Sequence, residues 1–322
     1  MSKYKVVVTD SFFKDFEIEK QIFEDKDIDL IITSSKTKED LISHCKDADA
    51  ILCTSAPFTK EVIDSIPNCK IISKYTVGVD NVNIEACTDA KIWVSNVPDY
   101  GDEEVSDHAI ALWLACARKI ARRDAQVRNG MWNVAQADPI FRIQGKTFGI
   151  LGFGAIARSM AKKLQSFRLG KILAYDPYVS ADVMALHNVI KADWKDIISQ
   201  SDYISVNIPL NDNTRGMIGA NEFNMMKNTA ILINTGRGAV IDEKALIDAL
   251  QNHKINSAGL DVFDKEPLTE DSPFLKLENT VLTDHSAWYS EESIVEMKTK
   301  ACKNILEVFD GKQPIYPVNH LT

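Results

Sequence analysis

The chain has 322 residues, with 37 Lys plus Arg against 46 Asp plus Glu, a net charge of −9, 45% hydrophobic and 26% charged residues. That balance belongs to a folded globular protein large enough for one or two domains, and it excludes general disorder. An acidic chain repels phosphate backbones, which argues against nucleic-acid binding, and the longest apolar run, Ile110 to Ala117, is too short to span a bilayer.

The first strand is expected almost at once, near 4–9, with no signal-peptide pattern before it. Further strands are expected near 28–32, 49–53, 70–73 and 91–94, alternating with helical stretches. Pro98 and Gly101 then punctuate the chain, and Asp102, Glu103 and Glu104 favour the start of a long helix by opposing its macrodipole. That helix, about Val105 to Arg123, is apolar on more than one face and is expected to be buried between domains or subunits. A second series of strands is expected near 146–151, 171–175, 203–206, 230–233, 257–262 and 280–283. A last helix starts after Ser290 and runs to about Phe309. The pattern is α/β with parallel sheets: a doubly wound domain at 100–287, and another α/β domain from 1–99 completed by 288–322. Six scattered cysteines with no C-x-x-C read as reduced thiols of a cytoplasmic protein, without a metal cluster.

Gly152-Phe153-Gly154-Ala155-Ile156-Ala157 is a G-x-G-x-x-A form of the dinucleotide fingerprint, between a strand and a helix. Gly152 permits the tight turn, Gly154 lets backbone approach a pyrophosphate, and the helix N-terminus offers free N–H groups. Asp176 ends the next strand, 24 positions after Gly152, where a ribose-binding acid belongs. No Arg or Lys lies beside it to receive a 2′-phosphate, so the expected cofactor is NAD rather than NADP.

Three later strand ends deliver ionisable groups to one rim: Arg237, Glu266 and His285. They suit hydride transfer to a 2-oxo acid. A guanidinium can clamp the carboxylate and polarise the carbonyl, with flanking glycines allowing close approach. His285 can give a proton to the carbonyl oxygen, and Glu266 paired with it would fix the ring and favour its protonated form.

With these residues in place, the chain resembles the D-isomer-specific 2-hydroxyacid dehydrogenase family. The matching segments are Val77-Gly78-Val79-Asp80-Asn81, Gly152-Phe153-Gly154, Asn234-Thr235-Gly236-Arg237-Gly238, Asp261-Val262-Phe263 with Glu266-Pro267, and His285-Ser286-Ala287-Trp288. The segment from His285 to Glu291 looks most like the branch of the C-terminal-binding-protein corepressors and their bacterial enzyme relatives. The resemblance implies a Rossmann NAD-binding domain inserted in a flavodoxin-like substrate-binding domain, with a cleft that closes on a small 2-oxo or 2-hydroxy acid. It makes Arg237 the carboxylate clamp, His285 the acid/base and Glu266 its partner. Asp261 would orient the nicotinamide carboxamide, with Thr235, Gly236, Arg237 and His285 also at the cofactor. Asn207, Pro209 and Thr214 would line its adenosine end. Val77 and Gly78 would bind substrate through backbone N–H groups, with Tyr100 and Trp288 as pocket walls and Tyr75 as a further candidate. The helix after Val105 and the arm containing Trp132 would form a homodimer interface. The basic cluster Arg118, Lys119, Arg122, Arg123 and Arg128 reads as a solvated or subunit-facing stripe.

Three positions depart from the family pattern: Asp284 stands where proline is usual, Lys74 where arginine is common, and Asn207 where histidine is frequent. Trp288 and the absence of basic residues in Cys53–Phe58 favour a medium-sized, partly hydrophobic 2-oxo acid over a phosphorylated one. The competing reading is an NAD(H)-responsive corepressor-like assembly protein with vestigial chemistry, against which the intact Arg237, Glu266 and His285 weigh. Formate oxidation is disfavoured, because that branch pairs its histidine with glutamine.

Overall fold

In the computed structural model, which describes residues 3–35, 37–133 and 139–321, the chain divides into two units. One comprises Met1–Tyr100 and Ser290–Thr322, and the other Gly101–Tyr289.

The first unit is built on strands β1 (Tyr4–Val8), β2 (Ile28–Ile32), β3 (Ala50–Cys53), β4 (Ile71–Lys74) and β5 (Trp93–Ser95). All pair in parallel, in the order β2-β1-β3-β4-β5 of a flavodoxin-like sheet. Strands β3 and β4 are buried at every position, as expected where helices cover both faces. The helix Glu291–Phe309 returns to this sheet. Ser290 caps it by accepting from the Ser293 N–H at 2.9 Å, and the Ser73 hydroxyl donates to the Ala301 carbonyl at 2.9 Å. Lys298, 2% exposed, donates to the Asp15 carbonyl at 2.6 Å and pairs with the buried Glu19 at 3.4 Å. Tyr75 donates to the same carboxylate at 2.8 Å. Tyr75 is therefore a core residue whose hydroxyl satisfies a buried acid, not the pocket wall considered from sequence.

The second unit holds β6 (Thr147–Leu151), β7 (Lys171–Tyr175), β8 (Ile190–Lys191), β9 (Tyr203–Val206), β10 (Ile231–Asn234), β11 (Ser257–Leu260) and β12 (Thr280–Leu282). Their order, β12-β11-β10-β9-β6-β7-β8, is that of a Rossmann sheet extended by one strand. Because β6 pairs with both β7 and β9, the chain reverses direction across the sheet there, and a crevice opens beyond its carboxyl end.

Two expectations about the long helix are corrected. It runs Asp102–Arg118, and Lys119 at φ +55° breaks it before a second helix, Ile120–Arg128. Nor is its burial only between domains or subunits, because one face packs inside its own unit. Ala109, Leu112, Trp113 and Cys116 are buried in the core of their own unit, with the Trp113 ring edge-on to Phe148 at 5.1 Å. Gly259 on β11 makes room for it, since a Cβ there would meet the Leu112 Cβ at 2.9 Å. The helix Ile120–Arg128 buries none of its residues. Its stripe is partly ion-paired, Arg128 with Asp124 at 2.7 Å and Arg122 with Glu278 at 3.2 Å. Ile120, Val127 and Trp132 are exposed, Trp132 at 90%. The rest of the arm, 134–138, lies outside the described residues. No described helix is long and apolar enough to cross a membrane.

Candidate active site

The fingerprint loop opens at the sheet's switch point. Gly152 has φ +84°, and a Cβ there would lie 2.5 Å from the Asn207 carbonyl oxygen, so conformation and space both require glycine. Gly154 precedes the helix Ala155–Leu164, and a Cβ there would meet nothing within 4 Å. The backbone is thus bare toward open space, with Ala155 exposed, Ile156 half-buried and Ala157 packed in the core. Asp176 accepts the Phe153 N–H at 2.9 Å through one oxygen and the Tyr178 N–H at 2.8 Å through the other. The carboxylate expected at the ribose therefore also fixes the glycine loop.

At the neighbouring strand ends, Asn207 turns its amide back to Ser205, donating to its hydroxyl at 3.1 Å. Thr214 donates to the Pro209 carbonyl at 2.7 Å and closes the 209–214 turn. Thr235, just past β10, is buried, and its hydroxyl has no hydrogen-bond partner among the described residues. An orphaned hydroxyl at the carboxyl end of a Rossmann strand, on the same sheet edge as the bare glycine turn, fits a dinucleotide that supplies the missing partner.

Arg237 follows in a turn held by Asn234, whose amide donates to the Arg237 carbonyl at 3.0 Å and accepts the Gly236 N–H at 3.0 Å. The flanking glycines were expected to admit substrate and cofactor. Their packing corrects this: a Cβ on Gly238 would lie 2.0 Å from the Phe263 carbonyl carbon, and one on Gly236 3.3 Å from the Val206 carbonyl oxygen. They let neighbouring loops close on each other. Glu266 anchors the second loop by accepting the Phe263 N–H at 2.8 Å through one oxygen. Its other oxygen meets His285 Nδ1 at 2.5 Å. Burial raises the Glu266 carboxyl, but the hydrogen bonds from His285 and Phe263 and the charges of His285 and Arg237 outweigh it, leaving it below its ordinary value. With Nδ1 engaged, Nε2 is the ring nitrogen left for chemistry, on a side chain 42% exposed.

His285 sits at φ +59°, a left-handed conformation that a residue with a Cβ adopts only when its surroundings impose it. Asp261 imposes it. Its carbonyl accepts the His285 N–H at 2.9 Å, and its carboxylate accepts the Ser286 and Ala287 N–H groups at 3.0 Å each. Sequence reasoning assigned Asp261 to the nicotinamide and missed this bracing, which depends on a fully buried side chain. Asp284 faces solvent, its carboxyl lowered mainly by the Ser286 hydroxyl. Trp288 packs near Gly101, whose Cβ would stand 3.7 Å from its own, and edges against Tyr289.

In the first unit, Val77 is exposed at the carboxyl end of the sheet, and Gly78 accepts from the Thr76 hydroxyl at 3.0 Å. Tyr100 is buried. Lys74, which stands where the family commonly has arginine, is an internal tie: its ammonium donates to the Thr54 carbonyl at 2.7 Å and to the Asn81 side chain. Asp10, which the sequence did not single out, receives the Thr54, Ser55 and Ala56 N–H groups and both hydroxyls of Thr54 and Ser55.

Residues 110–287 match the model of the D-isomer specific 2-hydroxyacid dehydrogenase NAD binding domain. A glyoxylate reductase of Korarchaeum cryptofilum is 37% identical over 287 residues, covering 88% of this chain and 86% of that protein. A D-3-phosphoglycerate dehydrogenase of Methanocaldococcus jannaschii is 34% identical over 96% of this chain and 58% of its own length. The structure of a D-lactate dehydrogenase from Aquifex aeolicus, complexed with NAD and lactic acid, is similar with a TM-score of 0.86, at 26% identity over 95% of this chain and 96% of that one. Fingerprint, paired histidine and glutamate, and relatives along nearly the whole chain agree: it belongs to the D-isomer-specific 2-hydroxyacid dehydrogenase family.

Proposed function

We propose that this NAD-dependent 2-hydroxyacid oxidoreductase works mainly as a reductase of unphosphorylated 2-oxo acids, with His285 as the proton donor. The observation that carries the reading is the 2.5 Å contact of His285 Nδ1 with Glu266 on a loop packed against that of Arg237. Gly152, Gly154 and the helix beginning at Ala155 would hold the pyrophosphate, Asp176 the ribose, and Thr235 the nicotinamide half. Bound there, NADH supplies the hydride that reaches the carbonyl carbon. Arg237 clamps the substrate carboxylate through its planar fork and draws electron density from the neighbouring carbonyl. His285 gives its Nε2 proton to the carbonyl oxygen as the C–O π electrons move onto it, yielding the 2-hydroxy acid. Glu266 offsets the positive charge on the ring and keeps Nε2 aimed outward. Backbone N–H groups near Val77 and Gly78 would add to carboxylate binding.

Preference for NAD over NADP is supported by Asp176, with no cation in Tyr175–Tyr178 to offset a 2′-phosphate. A partly hydrophobic substrate is supported by Trp288 and by Lys74, whose charge is committed inside the first unit. A homodimer built on Ile120–Arg128 and the arm at Trp132 is supported by their exposed apolar side chains, and reduced buried thiols suit a cytoplasmic setting. The test is a spectrophotometric screen with NADH and NADPH against glyoxylate, pyruvate, hydroxypyruvate, branched 2-oxo acids and 3-phosphohydroxypyruvate. Turnover with NADH on an unphosphorylated acid is expected. A folded sample that turns over none of them would overturn the reading, and NADH-strengthened dimerisation without turnover would replace it with the assembly role.

A further inference from the structure

We propose that His108, which no motif of the family reading uses, is a positioning residue for the acid/base histidine, acting through Thr283 and Asp261. The proposal rests on the reading of His285 as proton donor. His108 lies on the helix Asp102–Arg118, and its Nε2 is 2.9 Å from the Thr283 hydroxyl. That hydroxyl is 2.6 Å from Asp261 Oδ1, and His108 Nε2 itself is 3.6 Å from the same oxygen.

Proton counting gives this chain a direction. An ionised carboxylate only accepts, and each Asp261 oxygen already receives a main-chain N–H. The single Thr283 proton must therefore point at Asp261. The Thr283 oxygen is then the acceptor, so His108 Nε2 must carry a proton and donate it. The tautomer of His108 is fixed by the hydroxyl it meets.

The chain holds the strap around His285 from both sides. Thr283 enters the strap two residues before His285, and Ser286 and Ala287 leave it. All three donate to one buried carboxylate, whose main-chain carbonyl takes the His285 N–H. A left-handed non-glycine residue is strained and persists only where its environment over-determines it. Without the His108 donor the Thr283 oxygen loses the contact that holds it, and its bond to Asp261, one of the three donors on that carboxylate, is loosened. The ring should then sample orientations in which Nε2 misses the carbonyl oxygen. Such misplacement lowers the chemical step and leaves cofactor binding alone.

The full chain serves for the test, as His108→Phe, His108→Gln, Thr283→Val and the Phe/Val double variant. With NADH and the best 2-oxo acid, kcat of His108→Phe should fall on the order of tenfold, with the KM for NADH within about twofold. His108→Gln, whose amide nitrogen can stand near Nε2, should recover most of the loss. Thr283→Val should lose as much as His108→Phe, and the double variant no more than either, because both cut one chain. Wild-type kcat in His108→Phe, no recovery in His108→Gln, or additive losses would overturn the proposal. Should His108→Phe fail to fold, the near-isosteric Thr283→Val carries the comparison. Nitrogen-15 imidazole spectra need no turnover: they should show a proton on His108 Nε2, and His285 ring signals displaced in Thr283→Val. A His108 protonated only at Nδ1, or unmoved His285 signals, would also overturn it. A wild type that reduces no 2-oxo acid would sink the parent reading alone, and the spectra would then decide the His108–His285 coupling by themselves.

Discussion

Glu266 divides its two oxygens between His285 Nδ1, at 2.5 Å, and the Phe263 N–H, at 2.8 Å. The imidazole is thereby tied to the main chain of the loop that packs on Gly238, so His285 shares a support with the loop of Arg237. Replacing Glu266 by Gln keeps the shape and removes the charge. Turnover of the best 2-oxo acid by Glu266→Gln should fall about 10²-fold, with NADH binding unchanged. The acid side of the pH profile follows from the sign of the shift. The Glu266 carboxyl is held below its ordinary 4.5, so the pair outlasts pH 4.5 and is lost as pH falls through that lowered value. A wild-type acid limb lying above pH 4.5 would exclude Glu266 as its source.

The proposed role of Arg237 is that of a planar clamp rather than a point charge. Arg237→Lys retains the charge and loses the fork, so kcat/KM for the 2-oxo acid should drop about 10²- to 10³-fold, roughly 3–4 kcal/mol of transition-state stabilisation. The affinity for NADH, read by fluorescence, should change less than threefold. Equal losses in both would make Arg237 a cofactor residue instead.

Gly238 tests whether loop packing matters. A methyl there would stand 2.0 Å from the Phe263 carbonyl carbon and 2.2 Å from its oxygen, both backbone atoms that cannot swing aside. Gly238→Ala should cost about 1–3 kcal/mol or more in denaturant unfolding and lower kcat at least tenfold by displacing Glu266. Gly154→Ala, where the new Cβ meets open space, should leave unfolding nearly unchanged and weaken NADH binding.

Asp10 gathers the loop after β3 through five donors from Thr54, Ser55 and Ala56. Burial raises its carboxyl, but the Thr54 and Ser55 hydrogen bonds together hold it below the ordinary 3.8. Its stabilising contribution is therefore complete above about pH 3.8 and fades as pH falls through the lowered value. Asp10→Asn should destabilise the protein by about 2 kcal/mol at neutral pH, and the difference from wild type should shrink below pH 4. A pH-independent difference would show that charge plays no part.

The strands were legible because short β-branched runs in a parallel sheet are buried on both faces, and most observed strand ends lie within a residue or two of those expected. The two-residue β8 escaped notice, since an exposed edge pair such as Ile190-Lys191 carries no periodicity. The break at Lys119 was hidden for a related reason. A left-handed residue usually announces itself as glycine or asparagine, and here a lysine adopts that geometry. In the site, Arg237, Glu266 and His285 were readable as ionisable groups at successive strand ends. The hydrogen-bond partners of Asp261, His108, Asp10 and Lys74 were not. Each depends on which buried neighbour a polar side chain meets, and partners such as Asp10 and Thr54, or His108 and Thr283, lie far apart in sequence.

The unit around β1–β5 is assembled from two separated segments, Met1–Tyr100 and Ser290–Thr322, whereas the unit of the nucleotide-binding sheet is one uninterrupted stretch, Gly101–Tyr289. During synthesis the earlier-made half therefore waits. Glu19 has no ammonium from Lys298, and Tyr4 no Phe309 ring to stack on at 4.0 Å, until the closing helix leaves the ribosome. The part translated second is thus the first that can be completed, and the usual amino-to-carboxyl order of domain maturation is inverted in this nascent chain.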